Sequence, residues 1–203
     1  MESMELTAIA LVCTLKKSPE PSSSELLATQ ILAELKTHGV EGESLRLVDS
    51  HIAYGVTTDE GDGDEWPGIR EKILAADIVI VATPTWVGQL ASPGAQLLER
   101  LDAELSETDD EGRPSMYDKV AVVGVVGNED GAHHITAQLF QGLGDIGFTI
   151  PSQGATYWND VAMGSRDYND LPETPEKVAS ATKALAANAA HLAGLLKGSS
   201  YPA

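Results

Sequence analysis

Ser22, Ser23 and Ser24 follow Lys16 and Lys17 in the stretch CTLKKSPEPSSSELL, within a chain that is otherwise strongly acidic. Small hydroxyls and paired lysines at the start of a helix suit an anion. The first backbone N–H groups of a helix have no partner within it, and its dipole turns a positive end toward them. Thr14, Lys16, Ser18, Ser22, Ser23 and Ser24 are therefore candidate ligands for a phosphate monoester, without any Walker-type glycine run. The same residues also fit a serine N-cap, a proline-stiffened loop and solvated lysines.

Two further stretches have unusual composition. In ATPTWVGQLASPG, residues 82–94, Pro84 interrupts a strand, Gly88 allows close backbone approach and Trp86 offers a flat apolar face. A planar heterocycle could lie there with its edge bonded to the backbone of residues 85–89, or the aromatic could pack into its own domain. In GNEDGAHH, residues 127–134, Gly127 and Gly131 bracket a tight turn and Asp130 is placed to cap the next helix. His133 and His134 are adjacent, so on a helix they diverge and make a poor metal pair.

Other patterns carry less. GLGDIG, residues 142–147, has the glycine spacing of a dinucleotide motif with Asp167 downstream, but here the glycines end a helix instead of opening one. DGDEW, residues 62–66, starts like a calcium loop yet has Pro67 where the turn glycine belongs, so it reads as a solvated acidic loop. There is no G-x-S-x-G nucleophile elbow. Cys13, last in an apolar run, reads as a small core filler beside the serine loop, and Tyr157 and Trp158 fit either core packing or the roof of a site.

The elements that must hold these loops alternate. Apolar runs at 6–13, 77–84 and 119–127 have the look of strands buried on both faces, with further strands expected at 44–49 and 148–158. Helical periodicity covers 22–38, 66–76, 91–105, 130–146 and 174–197. Strictly alternating strands and helices predict a three-layer, doubly wound α/β fold around a parallel five-stranded sheet. Ligands of such sheets bind beyond the carboxyl ends of the strands, where all three unusual loops lie.

The totals agree with one domain spanning 1–203. Formal charge is −18, from 31 acidic and 13 basic side chains, which argues against nucleic-acid or anionic-membrane partners. Neither a secretory signal nor an apolar run of spanning length is evident, and a cytoplasmic location is expected.

Taken in order, TLKKSPEPSSSE, PTWVGQLASPGAQLLERLD and GNEDGAH resemble the flavodoxin-like NAD(P)H-dependent FMN reductase and quinone reductase superfamily over nearly the whole chain. The resemblance implies strand order 2-1-3-4-5 and bound FMN with NAD(P)H as co-substrate. It also implies a small-molecule electron acceptor such as a quinone or a free flavin, and a homodimer or homotetramer. It places the FMN phosphate at Thr14, Lys16, Ser18, Ser22, Ser23 and Ser24. The flavin ring would lie at Pro84, Thr85, Trp86, Val87, Gly88 and Gln89, with Gly127, Asn128, Glu129, Asp130, Gly131 and His133 lining the rest of the pocket. One departure is Trp86, where the family's loop has the form Pro-x-Tyr-x-Gly-Ser. A carrier of the flavodoxin type, without direct NAD(P)H turnover, is the alternative.

Overall fold

The computed structural model describes residues 5–202. Its strands are β1 (Leu6–Val12), β2 (Val40–Arg46), β3 (Ile78–Trp86), β4 (Gln89–Leu90), β5 (Val120–Gly127) and β6 (Ala155–Asn159). The helices are α1 (Ser23–Thr37), α2 (Trp66–Ala75), α3 (Ser92–Leu101), α4 (Ala132–Ile146) and α5 (Glu176–Gly198). Five strands run parallel in the order β2-β1-β3-β5-β6, and the two-residue β4 pairs antiparallel with the end of β3. Leaving out β4, this is the expected 2-1-3-4-5 order.

The period of two along the strands divides the core into two layers. Ala8, Ala10 and Val12 of β1 face α1 and α5, while Ile9 and Leu11 face the α2, α3 and α4 side. Gly124 in β5 lets α1 lie close, since a Cβ there would meet Leu27 and Ile31 at 3.1 Å. Ala186, Ala189 and Ala193 do the same for α5 by keeping its inner face shallow.

Some boundaries differ from the sequence expectations, each for a physical reason. Strand β3 continues through Pro84 to Trp86 rather than stopping at the proline. Cys13 N–H donates to the Ala82 carbonyl, so Ala82 and, two residues on, Pro84 turn their backbone polar groups toward β1. β1 has already ended at that level, and the N–H that proline lacks has no neighbour to miss it. β2 covers 40–46 rather than 44–49: it is an edge strand with Glu41 to Ser44 exposed, so it carries no apolar signature. The last strand is confined to 155–159, with only an isolated bridge at Thr149 before it.

The acidic stretch before α2 is not simply solvated. Asp64 is buried at 1% side-chain exposure and pairs at 2.8 Å with Arg100 of α3, itself at 0%. Arg100 also donates to the carbonyls of Ala53 and Thr57 and lies over the Trp66 ring. Burial alone would raise the Asp64 carboxyl pKa. The N–H groups of Glu60, Ala53 and Trp66, with the Arg100 charge, outweigh that and hold it low. No helix among the described residues is long and apolar enough to cross a membrane.

Candidate functional site

The loops after β1, β3, β5 and β6 meet at the carboxyl edge of the sheet and line an open cleft of about 100 Å³.

The β1–α1 loop forms one end. Thr14, Lys16, Ser22, Ser23 and Ser24 line the cleft. Ser22 is the N-cap of α1, and its Oγ accepts from Glu25 N–H at 3.4 Å. Ser23 Oγ accepts from Asn169 N–H at 3.3 Å. Each of these hydroxyls keeps its own O–H to donate, and the N–H groups of Ser23 and Ser24 lie in the first turn, where the helix offers no acceptor. Ser18 differs. Its N–H and hydroxyl both donate to the Asp49 carboxylate, and it does not line the cleft. These Ser18 bonds, ahead of the charges of Arg46 and Lys17, hold the Asp49 carboxyl below its ordinary range.

Pro84, Thr85 and Trp86 form a side wall, with Trp86 53% exposed. Trp86 and Gln89 pair across a two-residue turn, Val87–Gly88, in which both φ angles are positive (53° and 68°). That geometry matches the right-handed twist of a hairpin but is unusual for a β-branched residue. Val87 N–H donates to Glu129 Oε1 at 2.7 Å. Gly131 lies against the same turn: a Cβ there would come within 2.8 Å of Gly88 Cα. Val87, Gly88, Gln89, Glu129 and Gly131 form this turn and its support but do not line the cleft.

Gly127 and Asn128 continue the lining directly beside Thr85. Gly127 is needed for fit, because a Cβ would strike the Thr85 side chain at 2.8 Å. Asp130 does not cap α4: the N-cap is Gly131, with no side-chain bond. The two histidines diverge, His133 Nε2 to Tyr157 Oη and His134 Nε2 to Gln89 Oε1, each at 3.0 Å. Neither lines the cleft. Trp158 packs in the core at 5.5 Å from Tyr168, while Tyr157 faces outward.

Asp167 and Tyr168, from the β6–α5 connection, complete the lining and were not among the sequence candidates for this site. Asp167 is held by Asn128 Nδ2 at 3.2 Å and by a capping box with Asp170, and Tyr168 by Gln30. Only the fold brings them to the serine loop. Local charge is close to balanced there, because Glu20, Glu25 and Asp49 surround Arg46 and offset Lys16 and Lys17. Cys13 is buried, and burial pushes its thiol up to about 12, which makes it inert.

Comparison with known proteins gives matches over most of the chain. A family model described as NADPH-dependent FMN reductase matches residues 7–162. The chain is 31% identical to the 8-demethyl-8-aminoriboflavin-5'-phosphate synthase of Streptomyces davaonensis, over 98% of this chain and 81% of that protein. It is 26% identical to the FMN-dependent NADPH-azoreductase of Staphylococcus aureus, over 73% of this chain and 79% of that one. Among solved structures, RosB with bound intermediate 8-demethyl-8-formylriboflavin-5'-phosphate superposes with a TM-score of 0.87, at 31% identity, over 97% of this chain and 82% of that one.

Proposed function

This chain belongs to the NADPH-dependent FMN reductase family, using FMN with NAD(P)H as co-substrate, and we propose that the cleft holds the flavin with its phosphate at the start of α1. The observation that carries this placement is the set of unspent donors there: hydroxyls of Ser22 and Ser23 and first-turn N–H groups, facing an open cleft in a molecule of net charge −18. Such a cradle favours an anion, and the phosphate of FMN is the anion that this family's cofactor brings. The ring would lie along the strand ends at Trp86 and Gly127–Asn128, with Asp167 accepting from the hydroxyls of the connecting chain.

When held by the serine loop and the strand ends at Trp86 and Gly127, FMN would supply the hydride-transfer chemistry between NAD(P)H and an acceptor. The protein orients the ring and leaves one side open to reactants, and no general acid or base is assigned. The acceptor is proposed to be a small molecule such as a quinone or a free flavin. The 203 residues are read as one FMN-binding domain, cytoplasmic and paired as a homodimer. Anaerobic stopped-flow mixing of the flavin-loaded protein with NADPH or NADH tests the reading. Rapid bleaching of the oxidised-flavin bands is expected, and a protein that stays yellow would be a carrier.

One observation favours a second reading, in which the flavin phosphate is the substrate. At 31% identity over 98% of this chain, one likeness is to a synthase whose named product is a modified riboflavin 5'-phosphate. Mass spectrometry of flavin recovered after aerobic incubation separates the two readings: unchanged FMN supports the reductase, and a new mass supports the synthase.

A further inference from the structure

We infer that Arg46 and Asp49, at the carboxyl end of β2, set the phosphate selectivity of the cleft as positioning residues, although neither lines it. The inference rests on the placement of FMN proposed above.

The β1–α1 loop has little regular structure of its own, and its shape is fixed largely from below. Arg46 is 5% exposed and donates from Nη1 to the Lys16 carbonyl at 3.0 Å. Its other face makes a forked pair with the Glu25 carboxylate in the first turn of α1, with Nε to Oε1 at 2.9 Å. Glu25 N–H in turn donates to Ser22 Oγ. One guanidinium thus ties the loop at Lys16 to the helix start that carries the serines. Next to it, the Asp49 carboxylate accepts both the N–H and the hydroxyl of Ser18, fixing the loop two residues further on.

Arg46 is not the counter-ion of the phosphate on this account. Its fork is spent on Glu25, and that pairing leads the effects that raise its pKa. What Arg46 contributes is geometry: a dianion is gripped only if the serine hydroxyls, the helix N–H groups and Thr14 converge on one point. A ligand without a phosphate has no use for that convergence.

Charge and geometry make opposite forecasts at Asp49. Replacing it with alanine removes a negative charge near the phosphate, which by Coulomb's law alone would tighten FMN binding. If the carboxylate holds the loop in shape, the same change weakens it.

The test titrates apoprotein with FMN and with riboflavin by flavin fluorescence, for the natural chain and for Arg46→Met, Arg46→Lys and Asp49→Ala. The natural chain should prefer FMN. Arg46→Met and Asp49→Ala should each lose FMN affinity by about tenfold, the size of one or two misplaced hydrogen bonds to a charged group, with riboflavin affinity unchanged. Arg46→Lys should recover part of the loss. Equal losses for both ligands, tighter FMN binding by Asp49→Ala, or an unchanged FMN-to-riboflavin ratio would each overturn the inference. If Arg46→Met does not fold, Arg46→Lys and Asp49→Ala, at the edge of the molecule, still decide it. A natural chain with no preference for FMN would sink the phosphate placement itself. That result differs from one in which the preference exists but ignores β2.

Discussion

At the scale of single residues, function here depends on which donors remain unspent. Ser22 accepts from the helix backbone through Oγ and still has its proton to give, whereas Ser18 has given its own to Asp49. Ser22→Asp should therefore keep the N-cap, since aspartate also caps helices, and lose flavin. Repulsion and a lost hydrogen bond are expected to cost about 2 kcal/mol of FMN affinity, measurable by fluorescence titration with melting temperature as the control. Unchanged affinity would move the phosphate elsewhere. Cys13 gives the opposite case. With its thiol pushed up to about 12 and no exposure, it should react with an aromatic disulfide only after unfolding, and fast labelling of the native protein would contradict its burial. Sequence alone marks Ser18 and Ser22 alike, because their types and spacing are equally suitable. What separates them is Asp49, and nothing local to the loop announces that carboxylate.

At the scale of elements, the strands were legible in proportion to their burial. β3 and β5 are apolar because both faces are covered, so periodicity finds them. β2 is exposed along most of its length and was placed too late by several residues. A different limit hid Asp167 and Tyr168, which reach the cleft from far along the chain only through the fold. The turn at Val87–Gly88 is legible as a hairpin only after its φ angles are known, since valine is a poor choice for a positive φ. Val87→Asn, which tolerates that conformation, should stabilise the protein by about 0.5–1 kcal/mol in urea unfolding. A neutral or destabilising result would mean that the Glu129 bond already relieves the turn.

At the scale of the whole molecule, charge governs two responses. The folded Asp64 carboxyl sits below its ordinary value of 3.8, so between the two values the unfolded chain holds more protons than the folded one. Its contribution to stability is complete above 3.8 and is lost as pH falls through the lower, folded value. Arg100→Met leaves that carboxylate buried without its cation. The change should cost about 3–5 kcal/mol at neutral pH and move acid unfolding to higher pH, followed by circular dichroism. Acid unfolding that begins at the same pH as in the natural chain would argue against the pair. The second response is to salt. A net charge of −18 repels a phosphate dianion at long range, and the local cations are offset by Glu20, Glu25 and Asp49. FMN association should accelerate as salt rises to about 0.5 M and the Debye length shrinks, as read by stopped-flow fluorescence. Slower association would mean that Lys16 and Lys17 dominate the approach.

The backbone contact between Gly131 and Gly88 has a mechanical consequence. With no side chain as a cushion, the tip of the hairpin and the first turn of α4 are pressed into one rigid jaw, and Glu129 clamps the join. Displacing either half would break both that contact and the Val87 bond to Glu129. The chain that follows β6 is moored to the same jaw by the Asn128 bond to Asp167, so three loops share one frame.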